Sequence, residues 1–309
     1  MNNFLIGLAA FIIVVIAALF GIPKVVDWNA YRGVFEEEAT RFLGRDVRVG
    51  GAVNLKLLPA PYFSFEKVRV ADSDTSSGEP FFKAESVTVW LSVAPFLRGA
   101  VEASEIELRR PVVRIVLNAD GGGNWQTFGQ GQSASPFTPK DVALQSVRIR
   151  DGVLSLHEAD GAERIVLNTI NGELGTPALE GPYRFRGTYG DASSLAEVRV
   201  NTAKPEADGA VRFKASHKRV ASGISVSVDG RVIKLDATPQ VEGELTAQAP
   251  VERAKGATTT DAPVELKAQL AADTKTFKLS ALTLAFEQQG ANNCSRHAPC
   301  CRRVFGSLR

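Results

Sequence analysis

Apolar and polar residues alternate along this sequence from Asp46 to about residue 290. The run VTVWLSV, which begins at Val87, and the run ISVSV, which begins at Ile224, show the pattern clearly. Successive side chains of a β-strand point to opposite faces of a sheet, so each run predicts a strand with one apolar and one polar face. The chain is therefore predicted to be mainly β, with an antiparallel sheet that has one face in water.

Turn signals separate several of these runs. Asp-Gly and Asn-Gly pairs accept the positive φ angles of tight hairpin turns, so each pair predicts a turn between two strands. The pairs are Asp151-Gly152, Asn171-Gly172, Asp208-Gly209 and Asp229-Gly230. The strands are thus predicted to form an elongated sheet, which is either an open, repeating groove or a closed sandwich.

An apolar run precedes the β region. Phe4 to Ile22 is a stretch of nineteen residues without a charge, and as a helix it would rise about 28 Å, close to the thickness of the bilayer interior. This run is longer than the apolar part of a signal peptide, which is roughly 7–15 residues. Residues 1–23 are therefore predicted to be an uncleaved transmembrane anchor. Charges that flank the run leave its orientation open.

A short amphipathic helix is predicted after the anchor. Apolar residues from Trp28 to Leu43 follow a spacing of 3.6, Asp27 or Asn29 can cap the start, and Gly44 can end the helix. The helix could lie at the membrane surface or cover one end of the sheet. The acidic run at 36–38 would repel anionic lipid, which favours the second interpretation.

Composition divides the rest of the chain. Residues 24–127 are predicted to form the helix with a first β unit, residues 128–140 a linker rich in Gly, Ser and Pro, and residues 141–290 a repeating antiparallel β region. Residues 291–309 contain all three cysteines and lose the alternation. We interpret this tail as foreign to the fold, the result of a truncation or of a shifted reading frame.

No pattern of catalytic, metal-binding or nucleic-acid-binding residues emerges. The chain has 36 basic and 34 acidic residues, so its net charge does not indicate nucleic-acid binding. The spacing of Cys294, His297, Cys300 and Cys301 does not match a zinc site. His157 and His217 lie in strand-like runs and are interpreted as solvated strand residues. The prediction is a protein that is not an enzyme and has no cofactor and no metal.

Several segments, in this order, resemble the AsmA family of bacterial envelope proteins. The segments are GIPKVVDWNAYR, EEATRFLGRDVRVGGAVNLKLLPAPYFSFEKVRVAD, FFKAESVTVWLSVAPFLRGAVEASEIELRRPVVRIVLNADGGGNWQTF and VRIRDGVLSLHEADGAERIVLNTINGEL. The resemblance covers roughly residues 1–290. It implies a single-pass anchor in the inner membrane, the bulk of the chain in the periplasm, and a role in outer-membrane biogenesis.

The resemblance also implies kinship with bridge-like lipid transfer proteins, whose β units form a groove with an apolar inner face. Phospholipid acyl chains, the inner membrane and other envelope proteins are the implied partners, and Pro95 to Gly99 would be a crossover between strands. The alternative is an envelope scaffold that affects outer-membrane protein assembly without carrying lipid. Alternation alone selects the candidate groove residues, which are Val87, Val89, Leu91, Val211, Phe213, Ile224, Val226 and Val228.

Overall fold

The computed structural model describes residue 21 and residues 26–73, 78–92, 103–126, 146–176, 181–234, 238–250 and 264–285. The mainly β prediction is confirmed, since fifteen strands lie within these ranges. No helix in the described part of the chain is long and apolar enough to cross a membrane. Gly21 apart, the predicted anchor lies outside the described residues, as do the predicted linker, the crossover at Pro95 to Gly99 and the tail.

The predicted amphipathic helix is present. A 3-10 turn at Trp28–Tyr31 leads into helix α1, Arg32–Leu43. The carboxylate of Asp27 accepts a hydrogen bond from the backbone N–H of Asn29 at 3.0 Å. Gly44 ends the helix with φ of 70°, and its N–H donates to the carbonyl of Thr40. The cap at Gly44 is therefore confirmed for helix α1. Asp27 caps the 3-10 turn, and α1 itself begins after Tyr31 without a side-chain cap.

The described chain forms two compact units. The first comprises Met1–Ala119 and Gly123–Pro182, and the second comprises Asp120–Gly122 and Tyr183–Arg309. Strands of the first unit are β1 Val47–Val49, β2 Val53–Lys56, β3 Tyr62–Val70, β4 Phe82–Leu91, β5 Ala103–Arg109, β6 Val112–Val116, β7 Ser146–His157 and β8 Glu163–Gly175. Strands of the second unit are β9 Arg184–Tyr189, β10 Ala196–Thr202, β11 Val211–Arg219, β12 Ser225–Ile233, β13 Gln240–Ala249, β14 Val264–Asp273 and β15 Phe277–Ala285.

The sheet of the first unit is mixed. Strands β1 and β2 both pair with β3, β3 pairs with β4, and β4 pairs with β5 and β6, all antiparallel. Both β5 and β6, however, run parallel to β7. The prediction of a wholly antiparallel sheet is therefore wrong here. The chain between β6 and β7 spans residues 117–145, long enough for the crossover that parallel strands require.

A line of backbone bends crosses the first sheet. Lys67, Arg110, Asp151 and Thr169 all have φ between 46° and 55°, although none is glycine. The registers place Lys67 on β3, Arg110 between β5 and β6, and Asp151 on β7 along one line across neighbouring strands. On either side of this line, successive apolar residues of a strand are two positions apart. Across the line the interval is three positions. Because the backbone turns there, the apolar residues on both sides of the line stay on one face.

Helix α1 covers one end of this apolar face. Phe35 packs against Phe63 and Phe65 at ring distances of 5.2 and 5.3 Å, and Trp28 packs edge-on against Phe63 at 5.9 Å. Glu36 accepts a hydrogen bond from the N–H of Val49 at 2.7 Å. This residue of the acidic run therefore satisfies a backbone donor of β1. The helix is therefore part of the core, which confirms the second interpretation of its position. The buried core residues beneath it are Val47, Val49, Val53, Val68 and Val70.

A buried polar network lies beside this core. Arg45, which follows the helix, is 6% exposed, and its guanidinium lies 3.8 Å from the carboxylate of Asp72. Asn124 donates to Asp72 at 2.8 Å and to the carbonyl of Arg114 at 2.9 Å, while Arg45 donates to the Asn124 carbonyl. Burial lowers the pKa of Arg45, although the charge of Asp72 opposes this effect. The network ties the helix end, the β3–β4 connection and the loop after β6 together.

The second unit is an antiparallel meander from β9 to β15. Of the four predicted turns, only Asp208-Gly209 is confirmed, with Gly209 at φ 79°. The predictions at 151–152, 171–172 and 229–230 are wrong, because these pairs lie inside β7, β8 and β12. In β12, Gly230 faces Gly243 of β13, and the backbones there approach too closely for a side chain. Gly230 therefore allows two strands to pack closely and does not form a hairpin turn.

Candidate apolar binding faces

One face of the second unit is apolar from strand to strand. Residues that are directly opposite in an antiparallel pair share a face, so the registers define rows across the sheet. One row contains Val200, Ala215, Val228, Leu245 and Ala268 on β10 to β14. The neighbouring row contains Val198, His217, Val226, Ala247, Leu266 and Leu284 on β10 to β15. This apolar face is the product of the alternation seen in the sequence.

Most of this face is open. Within the described part of the second unit, the buried apolar residues are Ala196, Ala210, Ala268 and Leu270. Phe213, Val226 and Val228 are only half-buried. On β15, Phe277 is 63% exposed and Leu282 is 45% exposed. A closed sandwich would bury large side chains from both layers, so the described residues form a single layer with an accessible apolar surface.

The opposite face of the second unit is charged. Lys214 lies 3.4 Å from Asp229, and Arg231 lies 3.3 Å from Glu242, each pair across neighbouring strands. These side chains are 49% to 70% exposed, so each pair contributes little to stability. Their effect is to make one face of the sheet strongly hydrophilic. The second unit is therefore a two-faced sheet with water on its charged side.

A polar pair interrupts the apolar face. The hydroxyl of Tyr189 and Nε2 of His217 lie 3.0 Å apart, and both side chains are half-buried. His217 pairs in register with Val198 and Val226, so it lies among apolar side chains. His217 is therefore a half-buried strand residue whose ring contacts the hydroxyl of Tyr189. His157 lies near the end of β7, with its ring 3.1 Å from the hydroxyl of Ser155.

The first unit has an apolar face as well. Beyond the part that helix α1 covers, this face continues across β4, β5 and β7. Two rows in register form it. They contain Phe65, Val87, Leu108 and Ile149 in one case, and Phe63, Val89, Ile106 and Val147 in the other. All of these side chains are half-buried.

The candidate groove residues fall into distinct places. Val87 and Val89 lie on the apolar face of the first unit, whereas Leu91 is only 4% exposed and offers little surface to a ligand. In the second unit one apolar face carries four of the candidates, which are Val211, Phe213, Val226 and Val228. Ile224 precedes β12, lies opposite Arg219 and is 44% exposed.

Sequence reasoning missed other members of these faces. Ile106 and Leu108 on β5 and Leu245 on β13 share rows with the candidates. Their alternation with charged residues, as in EIELR at 105–109, is as regular as that of the chosen runs. The signal was therefore present for each strand. Residues share a row only if their strands are neighbours. Alternation does not encode which strands pair, so the rows could not be predicted from it.

The fold and these faces define a class of protein, a helix-capped β-sheet with an accessible apolar surface. A sequence model of the AsmA family matches residues 3–220, and this chain belongs to the AsmA family. Proteins of this family are associated with the cell envelope, and membership suggests a role related to lipid transport. No curated protein and no solved structure matches this chain.

Proposed function

We propose that this protein is a membrane-anchored periplasmic protein of outer-membrane biogenesis that binds or conveys phospholipid along its apolar sheet faces. The observation that carries the proposal is the half-exposed apolar surface of the second unit, with Phe213, Val226 and Val228 on one side and ion pairs on the other. No catalytic step is part of the proposal. Phospholipid would place its acyl chains on the apolar face and keep its headgroup in water.

The hydrophobic effect favours phospholipid acyl chains as the ligand of the apolar face. Each methylene that leaves water contributes about 0.8 kcal/mol, so a chain of many methylenes gains substantially on such a surface. An extended row of half-exposed aliphatic side chains suits an extended acyl chain, because dispersion contacts form along its whole length. Large apolar surfaces on soluble sheets otherwise lead to aggregation, which a bound lipid would prevent.

Photo-crosslinking tests the proposal directly. Photo-reactive residues at Phe213 and Val226 are expected to crosslink to phospholipid in cells, because both side chains lie on the apolar face. The controls are Arg212 and Ser227, their immediate neighbours on the opposite face, which should give no lipid adduct. Mass spectrometry of the adducts would identify the lipid. Equal labelling at all four positions, or none at the first two, would contradict a lipid-binding face.

Charged substitutions distinguish an open apolar face from a closed core. Phe213→Asp and Val226→Asp are expected to reduce co-purified phospholipid severalfold while the melting temperature changes little, since the new carboxylate remains in contact with water. A closed core would lose several kcal/mol of stability and unfold. Unfolding of both variants, with no lipid adduct at either site, would favour the scaffold that assists outer-membrane assembly without lipid.

The inner-membrane anchor is part of the same proposal. Deletion of residues 1–23 is expected to release a soluble, β-rich chain, because the run Phe4 to Ile22 has the length and hydrophobicity of a membrane span. Cell fractionation and circular dichroism would measure this result. Deletion of residues 291–309 is the control and should leave the protein in the membrane. Retention of the shortened chain in washed membranes would mean that another segment anchors it.

A further inference from the structure

A polar cleft of about 1460 Å³ lies on the first unit, on the sheet face opposite helix α1. Phe63 and Phe65 of β3 contact the helix, so the alternate residues Tyr62 and Ser64 point to the other side. Strands β2 to β5 form the floor of this polar cleft. Ligand pockets commonly enclose about 300–1,000 Å³, so this cleft has room for a ligand larger than a typical small molecule.

Short hydroxyl side chains occupy the centre of the polar cleft. Ser64 pairs in register with Thr88, and Ser86 lies beside them on β4. All three are half-buried, and none makes a side-chain hydrogen bond with another residue in the described ranges. Each hydroxyl can donate one hydrogen bond and accept two. The floor thus offers an array of donors and acceptors with no partner from the protein's described part.

An aromatic pair forms one wall of the polar cleft. Tyr62 and Trp90 face each other across β3 and β4 with ring centres 5.6 Å apart, and Nζ of Lys56 lies 5.7 Å from the centre of the Tyr62 ring. Both rings are half-buried, so part of each ring remains accessible. Tyr and Trp combine an apolar ring with a polar group, which suits a ligand that has both apolar and hydroxyl surfaces.

The polar cleft is lined by equal numbers of positive and negative side chains. The cationic side chains are Lys56, Lys67 and Arg109, and the carboxylates are Glu66, Glu85 and Glu107. The lining by itself therefore gives no net attraction for a polyanion such as nucleic acid. Two of its carboxylates, Glu85 and Glu107, also form ion pairs with Arg110 and Arg150 beside the cleft. An uncharged ligand with many hydroxyl groups meets no electrostatic barrier here, and both charged types can form hydrogen bonds with its hydroxyls.

The hydrophilic face of the second unit provides an internal comparison. There Ser227 and Thr246 also form a half-buried pair in register, and ion pairs lie nearby, as they do at Glu85 and Glu107 of the polar cleft. The described part of that face has no aromatic pair on β11 to β14. Of these two described faces, that of the first unit is the one that combines an aromatic wall with a hydroxyl floor.

We infer that the polar cleft binds an uncharged oligosaccharide. The C–H face of a sugar ring lies on the rings of Tyr62 and Trp90, and its hydroxyl groups form hydrogen bonds with Ser64 and Thr88. This ligand would bind on the side of the sheet opposite the apolar face. The polar cleft and the apolar face thus lie on opposite sides of the same sheet, and the inference does not depend on the lipid proposal.

Isothermal titration calorimetry of the solubilised full-length protein tests this inference. The probes are hexa-N-acetylchitohexaose and maltohexaose, both uncharged hexasaccharides, in an amine-oxide detergent because alkyl glycosides carry a sugar themselves. We expect saturable binding of at least one hexasaccharide. Trp90→Leu is expected to weaken it at least tenfold, because the aromatic wall is lost, and Ser64→Val with Thr88→Val should weaken it similarly.

The matched control is Ser227→Val with Thr246→Val, which removes the same two groups from the other hydrophilic face and should leave the affinity unchanged. Circular dichroism would verify that each variant is folded. Absence of saturable binding by the folded wild-type protein overturns the inference. So does an equal loss of affinity in the control, or full displacement of the sugar by dextran sulfate in a salt-dependent manner, which would indicate a site for anions.

Discussion

Replacement of Asp72 by alanine is expected to lower the free energy of unfolding of the first unit by about 3–5 kcal/mol. The substitution leaves the guanidinium of Arg45, which is 6% exposed, without its neighbouring carboxylate. It also removes one of the two acceptors of the side-chain amide of Asn124, and the carbonyl of Arg114 remains as the other. An uncompensated buried charge is among the most costly changes in a protein, because neither water nor a counter-ion stabilises it.

Tryptophan fluorescence during urea unfolding would measure this loss. All three tryptophans, Trp28, Trp90 and Trp125, belong to the first unit, so the signal reports on that unit alone. Asp46→Ala is the matched control. Its carboxylate pairs with Arg48 at 3.0 Å, but both side chains are more than half exposed, and the expected cost is about 1 kcal/mol or less.

A double variant distinguishes a lost ion pair from a general disturbance of packing. Arg45→Met combined with Asp72→Leu removes both charges, and it should recover most of the stability that Asp72→Ala loses. If the double variant is as unstable as the single one, the charge of Arg45 is not the cause. If Asp72→Ala costs no more than Asp46→Ala, the network contributes nothing beyond a surface pair.

Replacement of Gly243 by valine is expected to destabilise the second unit by about 3 kcal/mol or more. A β-carbon at Gly243 would lie 2.5 Å from the carbonyl oxygen of Asp229 and 2.7 Å from the α-carbon of Gly230. Both are backbone atoms, so no side-chain rotation can relieve the clash. Strands β12 and β13 would have to separate, and the hydrogen bonds between them would weaken. Gly230→Val should have an effect of the same size.

Loss of the β signal in far-ultraviolet circular dichroism during urea unfolding would report this change, since the second unit has no tryptophan. Gly33→Ala is the control, because a β-carbon at Gly33 in helix α1 meets no atom within 4 Å. Alanine is favoured over glycine inside a helix by about 0.5–1 kcal/mol, so this variant should be slightly more stable. Unchanged stability of the Gly243 variant would show that the strands are free to separate.

Local patterns carried much of what could be predicted. The spacing of 3.6 residues from Trp28 to Leu43 predicted the helical segment, and Asp27 and Gly44 lie at its two ends as predicted. Asp27 caps the 3-10 turn and Gly44 ends helix α1, since capping depends on residues close in sequence. The alternation in β11 and β12 likewise predicted a two-faced sheet with Phe213 and Val226 on one side. Side-chain direction in a strand depends on position alone, so no knowledge of the partner strand was needed.

Predictions that required knowledge of the partner strand were less successful. Asp229-Gly230 has the sequence of a hairpin turn, yet Gly230 lies within β12 because Gly243 opposes it on β13. The bend at Asp151 follows a line that Lys67 and Arg110 continue on neighbouring strands. Such a line depends on register, which long-range pairing determines. The parallel pairing of β5 with β7 was not predictable from alternation for the same reason.

The sequence by itself determined the class of structure, which is a mainly β chain with an apolar and a polar side and a helix before it. It also showed, through an ordered set of motifs, the resemblance to the AsmA family that the family model confirms over residues 3–220. The tertiary structure alone decided how these parts meet. It placed Phe35 of the helix on Phe63 and Phe65, buried Arg45 beside Asp72, and left Val226 and Val228 half-exposed. The physical reason is that hydrophobic periodicity sets the direction of a side chain, whereas its burial depends on whether a distant segment covers it.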